Sequence, residues 1–240
     1  MRLFLVCEMI TVGTHNESAR KAWVKNALGQ IAAGSRILDA GAGQCQFREF
    51  CSHLDYVAQD FSKYDGQGDT KGLHMGSWDY SRIHIISDIT AIPEADASFD
   101  AVMCTEVFEH LPDPVAAIRE FSRLLRPGGK LILTAPFCSL THFAPYHFYT
   151  GFNRYFFERY LPEYGLAIDE LSTNGNFFEF IAQEVHRVSD VSKKYTGRRP
   201  TLLDRIALHL VFRMLSRFSR TDKGSSELLS FGLFVRATKK

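Results

Sequence analysis

From Arg36 to Thr134, short apolar runs ending at acidic or glycine residues alternate with stretches whose apolar residues recur at helical spacing. This alternation is the tightest constraint on the fold, because strands too short to stand alone must share one sheet, and the intervening helices must cover its faces. Residues 36–39 read as the first strand, 56–60 as the second, 83–87 as the third, 99–104 as the fourth and 130–134 as the fifth. A helix with Phe47, Phe50 and Leu54 inward is expected between the first two strands. Residues 66–81, with Gly66, Gly68, Gly72 and Gly76 and no clear period, read as a loop where a crossover helix would be usual. The best-signalled helix follows Asp113-Pro114, a cap and a first-turn proline. It carries Val115, Ile118, Phe121, Leu124 and Leu125 at helical spacing, with Arg123 and Arg126 at its C-terminal end, and Pro127-Gly128-Gly129 is expected to stop it. A helix over 16–28 precedes the first strand. After Pro136 come an aromatic-rich segment, a sixth strand at 166–171, helical stretches at 176–189 and 201–218, and a last strand at 231–237.

Composition narrows the class. A hydrophobic fraction of 45% is ample for a packed core, and a formal net charge of +1 gives no case for a nucleic-acid binder. Five scattered cysteines without a CxxC pair suggest neither a disulfide framework nor a thiolate zinc site, and reduced thiols point to the cytoplasm. The apolar start Leu3-Phe4-Leu5-Val6-Cys7 ends at Glu8, too early for a signal peptide, and no run approaches the roughly 20 apolar residues of a spanning helix. No repeat or linker divides the 240 residues, so one domain is expected over 1–240.

The first strand closes in Asp39-Ala40-Gly41-Ala42-Gly43, a turn whose glycines let a ligand approach backbone amides. A dinucleotide fingerprint would need a third glycine where Gln46 stands, which argues against an NAD(P)-dependent oxidoreductase. Asp60 closes the second strand 19 residues after Gly41, about where a ribose-binding acid belongs, and Asp88 closes the third. Ligands of open parallel sheets bind at the carboxyl ends of strands, so these acids are expected to converge on one crevice.

With these features the sequence resembles the class I S-adenosylmethionine-dependent methyltransferases. The matching residues are Ile37-Leu38-Asp39-Ala40-Gly41-Ala42-Gly43, Asp60, Ser87-Asp88-Ile89, Ser98-Phe99-Asp100-Ala101-Val102, Glu106-Val107-Phe108-Glu109-His110 and Leu125-Arg126-Pro127-Gly128-Gly129. They occur in family order over 36–136, nearest to the ubiquinone-type branch acting on small molecules. The resemblance implies a Rossmann-like α/β sheet of seven strands in the order 3-2-1-4-5-7-6, the seventh antiparallel, with helices on both faces. It divides the chain into a lead-in at 1–35, a cofactor-binding half at 36–136 and an acceptor-side half at 137–240 with a basic helical insertion. It implies S-adenosylmethionine as cofactor, with Gly41 and Gly43 against the methionine part and Asp39 orienting its amino group. Asp60 would hold the ribose hydroxyls, Asp88 the adenine amino group, Ile89 the ring, and Glu106 would lie near the sulfonium. Cys45 departs from the family pattern at this turn.

Glu106, Glu109 and His110 have the spacing of one face of a helical turn, and a similar set binds a divalent metal in some resembling enzymes; no metal is assigned. Cys104-Thr105-Glu106-Val107 replaces the N/D-P-P-Y/F tetrad of resembling amino-methylating enzymes, which favours an oxygen or carbon acceptor. The aromatic segment carries His142, Tyr146, His147, Tyr149 and Arg154. A histidine there, His147 first and His142 in reserve, is the candidate to take the acceptor's proton. The expected function is methyl transfer to a small molecule at oxygen. The rivals are a catalytically silent cofactor-binding subunit and the oxidoreductase. Residues 187–223 hold ten lysines and arginines against three aspartates, a local charge of +7, on an amphipathic pattern at 201–218. That stretch suits either a helix packed on the sheet or contact with a membrane surface or a partner. Oligomeric state is left open.

Overall fold

A computed structural model describes residues 11–68, 72–73 and 76–240. The apolar start and Cys7 lie outside these residues. Seven strands form one sheet: β1 (Arg36–Ala40), β2 (Asp55–Asp60), β3 (Ile85–Ile86), β4 (Phe99–Thr105), β5 (Leu125–Pro136), β6 (Leu166–Asn174) and β7 (Gly232–Lys239). Their order is β3-β2-β1-β4-β5-β7-β6, as the resemblance implies. The pairs from β3 through β5 are parallel, and β7 is antiparallel to both β5 and β6. Among the described residues the α-helices are α1 (Asn16–Gly29), α2 (Pro114–Leu124), α3 (Arg154–Glu163), α4 (Phe177–Thr196) and α5 (Leu202–Arg220).

The chain divides into two compact units. The first, Ala19–Asn174 with Gly232–Lys240, contains the sheet. Its strands alternate side chains between two buried faces, as a sheet covered on both sides requires. On one face Leu38, Val102, Cys104, Leu131 and Leu133 pack with Phe121 and Leu124 of α2 and Phe157 and Leu161 of α3. On the other, Ile37, Ala101, Met103 and Ile132 pack with Val24, Ala27 and Leu28 of α1 and with Phe47 and Cys51. Trp23 of α1 stacks on Phe234 of β7 at 4.8 Å, and its indole N–H donates to Glu170 of β6 at 2.9 Å. The second unit joins the segment up to Ser18 with Gly175–Phe231, where Val12, Ala182, Phe212 and Leu215 form a smaller core.

Three elements differ from the sequence reading. The helix expected after the glycine turn is only a single 3-10 turn, Arg48–Cys51. Cys45 takes a left-handed φ of 57°, which breaks helical propagation at the start, although Phe47 is still buried and Phe50 and Leu54 partly so. Helix α2 stops at Leu124, before Pro127. Leu125 is already in the core opposite Phe99, and Arg126 pairs with Asp100 at 2.6 Å instead of closing the helix. The aromatic segment contains α3, which its apolar pattern did not reveal. Residues 66–68 and 76–81 are irregular, and Gly66 packs so closely that a Cβ there would lie 1.4 Å from the Gly76 carbonyl oxygen.

The start of α2 is as the sequence dictates: Asp113 accepts from the Ala116 N–H at 2.9 Å and Pro114 fills the first turn. Two substitutions separate cap from core. Asp113→Ala should cost about 1 kcal/mol, whereas Phe121→Ala, which empties a fully buried position, should cost about 3–5 kcal/mol. Urea unfolding with unchanged slope is the measurement, and equal costs would contradict this packing.

Candidate active site

Strand β1 delivers the chain into a turn built on two glycines. The Gly41 N–H donates to the Gln59 backbone oxygen at 2.9 Å, and so does the Ala42 N–H. Gly41 sits at φ +74°, and a Cβ there would lie 2.6 Å from a Val107 methyl group. Gly43 sits at φ +52°, and its Cβ would lie 2.9 Å from the Trp78 ring. Left-handed backbone and lack of space both exclude side chains, which leaves a bare peptide cradle at the carboxyl end of the sheet.

Two of the expected acids meet at this cradle. Asp60, at the end of β2, accepts from the Gly43 N–H at 3.0 Å through Oδ2 and from the Ser62 N–H at 2.8 Å through Oδ1. Burial raises its pKa, and these backbone donors oppose the rise. Asp39 is 2% exposed and accepts from the Tyr56 hydroxyl at 2.6 Å. Burial pushes its carboxyl up to about 7 against that hydrogen bond, and the charge of Asp60 adds to the rise. Asp88 is not drawn into the same cluster. It is exposed, and its Oδ1 accepts from the Thr90 N–H and hydroxyl in its own turn, while Ile89 lies in the main core.

Glu106 follows β4 with a left-handed φ of 54°, a strained position for a non-glycine residue. Its carboxylate accepts from the Thr134 hydroxyl at 2.8 Å and pairs with Arg20 at 2.9 Å. The spacing argument that put Glu106, Glu109 and His110 on one helical face therefore fails, because only a 3-10 turn, Phe108–His110, follows. Glu109 and His110 instead face the segment after β5. Oε1 of Glu109 lies 3.7 Å from His110 Nε2 and 3.8 Å from His142 Nε2. The rings of His110, His142 and His147 contact one another, with centroids 4.6 to 5.9 Å apart. Glu109 is 1% exposed, and burial together with the Glu106 charge raises its carboxyl to about 8. Burial beside His142 holds His110 down near 3, and His147 is lowered for the same reasons. Glu109 and His110 are thus both uncharged near pH 7. Glu109 Oε2 and His110 Nε2 are buried without a hydrogen-bond partner. Among the described residues, Glu109, His110 and His142 bring three ligand atoms within 4.8 Å of one another, a donor set adequate for a divalent cation.

An aromatic group links this cluster to the cradle. Trp78, over Gly43, contacts Tyr64 and Phe143, and Phe143 contacts both His110 and His142 at 5.1 Å. His147 Nε2 lies 3.1 Å from the Ser139 hydroxyl, and His142 Nδ1 lies 2.8 Å from the Leu140 carbonyl oxygen. Tyr149 is partly exposed on this segment, whose Phe148 and Tyr149 N–H groups donate to the Glu109 carbonyl. Sequence reasoning missed Trp78, Tyr64 and Arg20. Trp78 and Tyr64 lie in or beside the loop without a period, and Arg20 meets Glu106 across 86 residues, so no local signal marks any of them.

Residues 38–133 match the family model described as a methyltransferase domain. A 105-residue stretch is 39% identical to a ubiquinone biosynthesis O-methyltransferase from Xanthomonas oryzae pv. oryzae, covering 42% of this chain and 43% of that protein. The match therefore spans less than half the length of the relative. A geranyl diphosphate methyltransferase solved with its cofactor superimposes with a TM-score of 0.56 at 13% identity, over 93% of this chain and 86% of that one. The [4+2]-cyclase SpnF does so equally well, with a TM-score of 0.56 at 16% identity over 92% and 81%. At such identities the superpositions establish the fold alone.

Asp39 offers a test at this stage. Its folded pKa of about 7 exceeds the ordinary 3.8, so between those values the folded state holds a proton that the unfolded state has lost, and stability from this group falls as pH rises. Asp39→Asn removes the titration while retaining an acceptor for Tyr56. The stability of wild type relative to this variant should decline by up to about 1.4 kcal/mol per pH unit across that window, measured by urea unfolding. A flat difference would place the carboxylate in water. Residues 38–133 thus match a methyltransferase domain, carried on a sheet with the strand order that the resemblance implies.

Proposed function

We propose that this chain binds S-adenosylmethionine at the Gly41–Gly43 cradle and transfers its methyl group to an oxygen of a small-molecule acceptor. The observation that carries this reading is the glycine turn at the carboxyl end of β1, whose Gly43 N–H is held by the buried Asp60 carboxylate. The bound cofactor supplies a methyl group already activated by a sulfonium leaving group. Catalysis by the protein then reduces to positioning, exclusion of water and removal of one proton.

Gly41 and Gly43 would pass close to the methionine part, with Asp39 accepting from its ammonium group. Asp60 retains lone pairs beyond those used by Gly43 and Ser62, enough to accept from the ribose hydroxyls. Asp88 has one oxygen engaged by Thr90 and the other to receive the adenine amino group, beside Ile89. Glu106, held by Arg20 and Thr134, stands where β4 ends, the position assigned to the reacting sulfonium. Trp78, Tyr64 and Phe143 would screen the site from water. His147, kept neutral near pH 7 by its surroundings, would accept the acceptor's proton, with His142 the reserve.

The likeness to the Xanthomonas enzyme supports oxygen as the acceptor atom, and the four free cysteines among the described residues support a reducing, cytoplasmic setting. No helix among the described residues is long and apolar enough to cross a membrane. The second reading keeps the same reaction but adds a divalent cation held by Glu109, His110 and His142, favoured by the two buried atoms there that lack partners.

Two measurements test the reading. Calorimetry should give micromolar binding of S-adenosylmethionine or its demethylated product, about −8 kcal/mol, without competition from NADH. Asp60→Asn should weaken that binding by roughly 2 kcal/mol, about thirtyfold, and also lower the melting temperature, because its amide leaves either the Gly43 or the Ser62 N–H without an acceptor. Unaltered affinity would mean that another group holds the ribose. Separately, His147→Ala should leave cofactor affinity within about twofold while turnover of a phenolic or enolic acceptor falls about a hundredfold or more. The same outcome for His142→Ala alone would transfer the role to the reserve. Turnover abolished by a chelator and restored by magnesium or zinc would establish the cation reading.

A further inference from the structure

We infer that the α4–α5 hairpin is a docking surface for an anionic lipid bilayer. Helix α5 has two apolar faces where a packed helix needs one. Phe212 and Leu215 are buried against α4, with His186 stacked on Phe212 at 4.1 Å. Leu203, Ile206, Leu210, Met214 and Phe218 recur at spacings of three or four on the other side of the helix. Phe218 touches Phe178 of α4 at one end, but the rest of that stripe is left in water: Leu203 is 78% exposed, Leu210 60% and Ile206 51%. The neighbouring Leu202 and the Tyr195 ring at the end of α4 are equally bare. Five exposed large side chains in register exceed the scattered apolar residues that a solvated surface tolerates.

The charge around the stripe decides what covers it. Arg213, Arg217 and Arg220 run along one border, and Arg198 and Arg199 stand in the turn that joins the helices. The segment 187–223 carries +7 in a chain whose total is +1, so the remaining residues sum to −6 and the positive charge is concentrated on this hairpin. A second copy of the chain would bring a like-charged hairpin to the same stripe, which repulsion disfavours. A bilayer interface with anionic headgroups satisfies both halves of the pattern. Aliphatic side chains enter the headgroup and acyl boundary while arginines pair with phosphates, and α5 lies along the surface without spanning it. The inference is independent of the methyl-transfer reading, which stands or falls with the cradle.

Co-sedimentation of the whole chain with vesicles of equimolar phosphatidylglycerol and phosphatidylcholine tests it, against pure phosphatidylcholine. Partitioning into the anionic vesicles should exceed the neutral control by about tenfold and fall as salt rises. Ile206→Ser combined with Leu210→Ser should abolish partitioning, and Arg213→Gln with Arg217→Gln should weaken it and flatten its salt dependence. Both pairs replace exposed residues, and unchanged melting curves verify that they fold. Absence of partitioning, equal partitioning into neutral vesicles, or wild-type partitioning by the serine variant would each overturn the proposal. A dimer in sedimentation velocity that the serine variant dissociates would assign the stripe to a second copy instead.

Discussion

A carboxylate taken out of water has to be held by donors, and Asp60 is held by the backbone of the turn it faces. Its two oxygens accept from Gly43 and Ser62, so the end of β2 is tied to the loop that leaves β1. The Gly41 and Ala42 N–H groups donate to Gln59, one residue earlier on β2, and reinforce the same junction. This small network fixes the course of the glycine turn, and the turn fixes how near Val107 and Trp78 can come. The strand order places β4 beside β1, which brings Glu106 and the 3-10 turn after it to the other side of the cradle. The geometry of the site descends from a few main-chain hydrogen bonds and two positions that exclude a Cβ.

What sequence could and could not convey follows from the range of the forces involved. The α2 helix was readable because its signals are local: Asp113 caps it, Pro114 fits its first turn, and Ile118 and Phe121 mark its buried face. The strands and the acids at their ends were readable for the same reason. Helix α3 was hidden by its own aromatic density, since Phe156, Phe157 and Tyr160 mark no single face, although the i,i+4 pairs Arg154–Glu158 and Arg159–Glu163 were a usable sign. The grouping of Glu106 with Glu109 and His110 failed because it assumed a helical turn, and a 3-10 turn aims the same residues elsewhere. The approach of His142 to Glu109 spans 33 positions, and nothing local announces it.

Burial gives the histidine cluster its electrostatic character. A carboxyl raised to about 8 beside an imidazole lowered to about 3 is a pair that stays uncharged over most of the accessible pH range. Neutral imidazoles are what a proton acceptor and a metal ligand both require, whereas Glu109 has to lose its proton before it can hold a cation. The cradle works differently, since Asp60 keeps backbone donors around its charge and so remains available to hydroxyl groups. In the proposed reading Asp39 and Asp60 serve cofactor recognition, and the segment after β5 would discriminate among acceptors.

A methyltransferase and a cyclase share this fold, so the fold alone does not dictate the chemistry. The sheet is closed without α4 and α5: Asn174, where β6 ends, is the register partner of Gly232, where β7 begins. The chain leaves and re-enters the sheet at one point, so the intervening segment can change length and composition without disturbing any strand pairing. Gly232 anchors the return, because a Cβ there would lie 2.6 Å from the Ala135 carbonyl oxygen. A row of bare leucines and an isoleucine bordered by arginine is costly in water, and an anionic bilayer, as proposed for this hairpin, would remove that cost without any change to the strand pairing.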